Sequence, residues 1–343
     1  MFYLSHLTAC PVKEHGFGER DTLVRQPERA PSPLVLPSPD TRTLLQNTVP
    51  ALYKEYGIET ADSDEAEIPL PSSVPVAPGH SAAGLALEAV ERLAGLDESI
   101  RRSGQYLIYA HDTPEPSFYL TPALLLKKRA GLRQVQPLAI SGCGSVSFAC
   151  AVEMLMCMSA EGDPPGARSI VVVSDQLAPP MPRFWQDHYP YGDAAAACIC
   201  SPEHGTWEIH DLIIEEWPYL AYQPYAWNEQ EIRLHEQLLL ERSCTALQRF
   251  KDKHSRSFSA IRYALVQHIS QAFLHTLSSR LEGISVYKRS YAPACNLLGS
   301  DCLISLHELE MRGMILPGET VLLIMAGPLS RVSLMLLRRT EVE

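Results

Sequence analysis

An α/β fold is the class this sequence predicts, and three observations predict it. Short, continuously apolar runs at 105–110, 136–140, 169–174 and 320–325 read as strands buried on both faces. Segments of helical periodicity separate those runs, so strands and helices alternate along the chain. A similar succession of helices and strands returns in the second half, which suggests a duplicated α/β unit.

The elements follow in order. Residues 2–9 read as a first strand. The proline-rich stretches 27–40 and 62–79, the latter opening with an acidic run at 62–67, read as connections. From residue 80 the pattern is regular. Apolar positions Ala82, Ala83, Leu85, Leu87, Val90 and Leu93 predict a helix over 82–95. A strand at 105–110 and a helix at 119–130, stopped by Gly131, come next. Strand 136–140, helix 144–159, strand 169–174 and strands near 195–200 and 206–215 complete the first half. The second half predicts helix 230–250, strand 262–267, helix 269–281, helix 296–311, strand 320–325 and strand 332–338. The expected division is 1–204 and 205–343.

Composition narrows the function. The chain has 343 residues, 46% of them hydrophobic, enough for a large core. A net charge of −11 argues against nucleic acid or an anionic membrane as the main partner. The most apolar stretch, 143–160, is interrupted by Glu153, so no membrane span is predicted. The N-terminal residues lack the basic and long apolar regions of a signal peptide. Nine cysteines are present, without the paired spacing of a metal site. Cys143, Cys150 and Cys157 are spaced as if along one helix face, about 10 Å apart and too far to bridge. A reducing cytoplasm is the expected compartment.

The chemistry centres on Ser141-Gly142-Cys143-Gly144-Ser145, which lies between a strand and a small-residue helix. A thiol there sits at a helix N-terminus, where free backbone N–H groups and the helix dipole favour a thiolate. Flanking glycines let a substrate carbonyl approach the sulfur. His268 follows a strand and precedes a helix, and Asn296 sits at another loop-to-helix junction. Such strand ends are where open α/β sheets place their sites. Taken singly, each residue has a plainer reading: a buried inert cysteine, a core histidine, an N-cap asparagine. Cys150 and Cys157 read as structural, and His275 as structural or exposed.

In order and spacing these segments resemble the thiolase superfamily, most closely its ketoacyl-ACP synthase III branch, from about residue 80 to the end. The matching segments are 141–145, Ser174-Asp175, Tyr191-Gly192-Asp193, Val266-Gln267-His268, 296–306 and the run from Gly318 to Leu323. The resemblance implies a thiolase-like duplicated fold layered α-β-α-β-α. It implies that Cys143 carries an acyl group taken from a thioester. His268 and Asn296, both neutral, would stabilise the oxygen that gains charge in the second step. Backbone N–H groups near the nucleophile and in a late glycine-rich loop would bind the acyl oxygen. No metal or organic cofactor is implied. The implied partners are an acyl carrier protein or acyl-CoA and a second copy of the chain. The acceptor would be malonyl-ACP, or an amine or alcohol.

The sequence departs from the family pattern in several places. The late loop reads Ala326-Gly327-Pro328-Leu329-Ser330, and Pro328 has no N–H, so Gly327 and Leu329 are the candidate acyl-oxygen contacts. Gly57-Ile58-Glu59-Thr60-Ala61 lacks the family's arginines, and Phe273 stands where an arginine often does. These arginines commonly serve coenzyme A phosphates, so a carrier protein gains ground as donor. Tyr119 matches the place where the dimer partner reaches the acyl tunnel. The departures also admit a second reading, a non-catalytic ketosynthase-like subunit supporting an active partner.

Overall fold

The computed structural model describes residues 1–10, 12–16, 73–77, 79–113, 121–160, 166–177, 183, 188–217, 229–327 and 331–341. Twelve strands occur among them: β1 (Tyr3–Cys10), β2 (Glu14–Gly16), β3 (Ser73–Pro75), β4 (Gly104–Ala110), β5 (Gln136–Ile140), β6 (Arg168–Asp175), β7 (Ala194–Ser201), β8 (Trp207–Glu216), β9 (Ile261–Val266), β10 (Ser285–Val286), β11 (Thr320–Gly327) and β12 (Arg331–Arg339). The helices are α1 (Ala82–Leu96), α2 (Ile100–Ser103), α3 (Pro122–Arg129), α4 (Ser147–Ala160), α5 (Glu229–Lys253), α6 (Gln271–Arg280) and α7 (Asp301–Met311).

Ten strands join in the order β10-β9-β11-β12-β8-β1-β7-β6-β4-β5. β1, β4, β5, β6 and β7 are the first to fifth strands of one half, and β8 to β12 are those of the other. Both halves then run third-second-fourth-fifth-first. The orientations also repeat: β4 is parallel to β5 and β6, and β9 to β10 and β11. The antiparallel steps β6-β7-β1 correspond to β11-β12-β8. The halves meet through a short pairing of Tyr3 with Glu208 and Leu4 with Trp207. Sequence periodicity suggested this duplication, and strand order displays it.

Three hydrophobic clusters join five layers, the central one filling both faces of the middle helical layer. The central one holds Phe148, Val152 and Leu155 of α4 with Leu303, Leu306 and Leu309 of α7. An outer cluster packs α1 and α3 on the first half, and another packs α5 and α6 on the second. Alternation along single strands explains the predicted apolar runs. In β11, Val321, Leu323 and Met325 face the centre, while Leu322, Ile324 and Ala326 face the outer helices. The architecture is the layered α-β-α-β-α expected from the resemblance.

Sequence and structure differ at short elements. Helix 144–159 begins instead with a 3-10 turn at Gly144–Val146, because Gly144 has φ +61°, outside the right-handed helical region. Likewise 296–311 opens with a 3-10 turn at Leu298–Ser300, before α7. β10 has only two residues, and β2 and β3 fall beside or within stretches read as connections. Residues this short carry no periodicity.

Candidate active site

The two halves bring equivalent corners together. Asp112 lies two residues past β4, and His268 lies two residues past β9. Cys143 and Asn296 each stand just ahead of the 3-10 turn that leads into a central helix. Those turns pack on each other. A Cβ added to Gly299 would meet Ser147 Oγ at 2.5 Å, and one added to Gly327 would meet the Ser145 amide nitrogen at 2.8 Å. Gly327 is thus a close-approach glycine where β11 ends against the nucleophile turn. Gln267 links the His and Asn segments: its Nε2 donates to Asn296 Oδ1 at 2.8 Å and to the Leu298 carbonyl at 3.0 Å.

Cys143 is half-buried, between Gly142 at φ +74° and Gly144. Both glycines are required by backbone conformation. The Cys143 thiol is lowered from 9.0 to about 6, first by a hydrogen bond with Cys150 and, against the cost of burial, by the nearby Arg331. Cys143 precedes the helix and does not lie along it. The expected single helix face therefore holds for Cys150 and Cys157 and not for Cys143. Cys157 is exposed, and all nine cysteines are free thiols.

The Cys143 amide donates to Asp112 Oδ1 at 3.1 Å. The expectation that this N–H awaits an acyl oxygen is therefore modified, because a carboxyl already occupies it. Asp112 Oδ2 is buried without a hydrogen-bond partner. Burial, and then the facing Asp175, push the Asp112 carboxyl up to about 7, against the pull of the Gly144 and Cys143 amides. A carboxyl raised above its ordinary 3.8 favours the folded state below that value and loses the benefit as pH rises through about 7. Asp112→Asn removes the charge and keeps an acceptor. It is expected to gain on the order of 1 kcal/mol or more over wild type between about pH 5 and about pH 8. Thermal unfolding of both proteins at each pH checks this, and parallel behaviour would contradict it.

His268 is buried, and its Nδ1 lies 2.9 Å from Asp301 Oδ1. Asp301 is fully buried, with Oδ2 at 3.2 Å from Arg289 Nη1 and at 3.0 Å from the Leu297 amide. Burial acts to raise this carboxyl, but Arg289 and His268 outweigh it and hold it at about 2. An ionised Asp301 can only accept, so His268 Nδ1 carries the proton of this hydrogen bond. Neutral His268 then presents a lone pair and donates from Nε2 only as imidazolium. This revises the expectation that His268 donates while neutral. Asn296 keeps the expected polarity. Its Oδ1 accepts from Gln267 and from the Leu298 amide at 2.9 Å, which leaves Nδ2 as its donor.

The remaining predicted residues fare differently. Phe273 is buried in the outer cluster with Trp217, Leu239 and Leu277, so its side chain is committed to packing. Tyr119 and Leu329, with Pro328, lie outside the described residues. His275 is exposed. Asp193 ties loops together, accepting from the Ala77 and Leu177 amides and pairing with Arg183. Asp301, Arg289, Asp112 and Arg331 were not found from sequence. Arg289 follows Lys288 in an irregular loop, and nothing local signals that one of the two is buried. Among the described residues no group of three or more His, Cys, Asp or Glu is placed to hold a metal ion, and no helix is long and apolar enough to cross a membrane.

No protein-family model matches the sequence, nor does any curated protein. Solved structures do. ChlB3, described as an acyltransferase, matches at 14% identity and TM-score 0.69, over 99% of this chain and 98% of that one. The 3-oxoacyl-[acyl-carrier-protein] synthase III of Aquifex aeolicus VF5 matches at 12% identity and TM-score 0.67, over 98% of this chain and 100% of that one. OleA of Xanthomonas campestris, with bound lauric acid and lauroyl-CoA, matches at 13% identity and TM-score 0.69, over 98% of each chain. With the strand order and the five layers, these likenesses make the chain a thiolase-fold protein with the architecture of the ketosynthase III enzymes.

Proposed function

We propose that the protein is a ketosynthase III-like acyltransferase working through Cys143. The observation that carries this reading is the thiol itself, lowered to about 6 and set where the corners of both halves meet. The Cys143 thiolate attacks a donor thioester carbonyl, the donor C–S bond breaks, and the carrier leaves as a thiolate that takes its proton from water. The acyl group then sits on Cys143 as a thioester. In the second step an acceptor attacks that carbonyl, the Cys143 C–S bond breaks and the thiolate is restored.

Asn296 Nδ2 is the donor toward the oxygen that gains charge. His268 Nε2 is the proton-transfer atom. It is oriented by Asp301 and suited to take a proton from an amine or alcohol as amide or ester forms. That pair favours an amine or alcohol acceptor. Decarboxylative attack by malonyl-ACP, giving a C–C bond, is the second reading, supported by the likeness to the synthase III structure. A carrier-protein donor is favoured over coenzyme A, because Glu59 and Ala61 replace the family's arginines and Phe273 is buried in the core.

The reading includes a division near residue 204, between β7 and β8, and a homodimer joined along β5. Among the described residues β5 is an edge strand paired with β4 alone, and its residues are at most half-buried. A cytoplasmic location belongs to the same reading.

Incubation with acyl-carrier-protein and acyl-CoA donors, followed by product analysis with amine, alcohol and malonyl-thioester acceptors, tests the proposal. Acyl transfer to one acceptor class, lost in Cys143→Ala, is expected. Absence of transfer with every pair would favour a non-catalytic subunit of a heterodimer.

A further inference from the structure

The peptide unit between Gly142 and Cys143 sets the direction of the nucleophile, and its own neighbours do little to hold it. Gly142 has φ +74° and Gly144 has φ +61°, and glycine reaches other backbone conformations at low cost. Both polar ends of this one peptide are nevertheless tied, each by a distant part of the chain. The Cys143 N–H donates to Asp112 Oδ1 at 3.1 Å, and the Gly142 carbonyl accepts from Arg331 Nη1 at 3.2 Å.

Each holder is itself held. Asp112 lies past the end of β4, where its own amide donates to Asp175 Oδ1 at 2.9 Å. The Thr113 amide and hydroxyl donate to the same oxygen at 3.0 and 3.1 Å, and the Gly299 amide of the second half donates to Asp175 Oδ2 at 3.3 Å. Asp175 is fully buried. Arg331 opens β12, where its backbone pairs with Gly327 of β11 on one side and Glu216 of β8 on the other. Its Nη2 lies 3.1 Å from a Glu216 carboxylate oxygen. Asp112 belongs to the first half and Arg331 to the second, so the peptide is gripped from both halves at the place where their corners meet.

We propose that Asp112 and Arg331 are positioning residues that clamp the Gly142–Cys143 peptide at its two ends and so fix the direction in which Cys143 presents its sulfur. The role deepens the acyl-transfer reading and rests on it for its purpose, while the clamp itself is testable without turnover. A peptide tied at one end can still swing about that tie. Tied at both, it turns only when two hydrogen bonds break together. Misplacement of a reacting group by about 1 Å costs on the order of 10²-fold in rate, which is the loss such a clamp prevents.

The test is hydrogen exchange of the Cys143 amide near neutral pH, read residue by residue by mass spectrometry with electron-transfer fragmentation. Wild type is compared with Asp112→Ala, Asp112→Asn and Arg331→Met. The alanine and methionine variants each lose one tie and are expected to speed exchange at Cys143 by about threefold to tenfold. Arg331 holds the carbonyl end, so a response at the N–H shows that the peptide moves as one unit. Asp112→Asn keeps an acceptor oxygen and is expected to stay within about twofold of wild type. If Asp112→Ala does not fold, Arg331→Met, at a part-exposed side chain, carries the test. Unchanged exchange in the alanine and methionine variants would overturn the proposal, and so would an asparagine variant as fast as alanine. A rise shared by the buried amides of β6 and β11 would mark general loosening and overturn it too. Loading of Cys143 from acetyl-CoA and acetyl-carrier protein is followed in the same proteins, and slower loading in Asp112→Ala, restored in Asp112→Asn, is expected. If neither probe loads even wild type while the exchange pattern holds, the function fails and the clamp stands. If loading keeps its wild-type rate in variants whose amide has loosened, the function stands and the positioning role fails.

Discussion

Asp301→Asn is expected to lower the unfolding free energy by about 3–5 kcal/mol, because it leaves the fully buried Arg289 without its counter-charge. Arg289 also donates to the carbonyls of Tyr291, Ala292 and Cys295, so the loop leading to Asn296 loosens with it. The loss depends on pH in a defined sense. Burial alone would raise the Asp301 carboxyl, but Arg289 and His268 hold it at about 2, below the ordinary 3.8. Its stabilisation is therefore complete above 3.8 and disappears as pH falls toward about 2. Denaturant unfolding at neutral and acidic pH should show a large difference between wild type and variant that narrows in acid. A difference under about 1 kcal/mol at neutral pH would mean that the Arg289–Asp301 pair is not uncompensated on mutation.

His268→Ala is expected to slow the second step of acyl transfer by about 10²–10⁴-fold while loading of Cys143 survives. The asymmetry follows from the two environments. The lowering of the Cys143 thiol is traced to Cys150 and Arg331. His268 is tied to Asp301 through Nδ1, and on the proposed reading Nε2 serves the acceptor. Single-turnover mass spectrometry separates the steps: the acyl-enzyme should form at near wild-type rate and persist. Equal loss of both steps would assign His268 to activation of the thiol.

The fold was legible because strands buried on both faces write continuous apolar runs, and because the central helices are rich in small and apolar residues. Boundaries failed where backbone conformation overrides composition, as at Gly144 and at Leu298 with φ +51°. β10 went unseen because two residues carry no pattern. Cys143, His268 and Asn296 were legible only as a set, through the order of segments around them. Their supports were not. Asp301 reads in sequence as an ordinary acidic residue at the start of a helix, and only the tertiary fold shows it facing His268 and Arg289. Asp112 meets Cys143 across two strand ends that are neighbours only once β4 and β5 pair. The common helix face read for Cys143 and Cys150 is broken by the turn that Gly144 opens.

The most direct measurement is the intact mass of the protein after brief exposure to an acyl thioester, with the added mass located by peptide mapping. One acyl group on the peptide carrying Cys143, absent in Cys143→Ala and formed readily near neutral pH, is the predicted result. Acylation at another residue, or none with either carrier-protein or coenzyme A donors, would contradict a role for this sulfur as the covalent carrier.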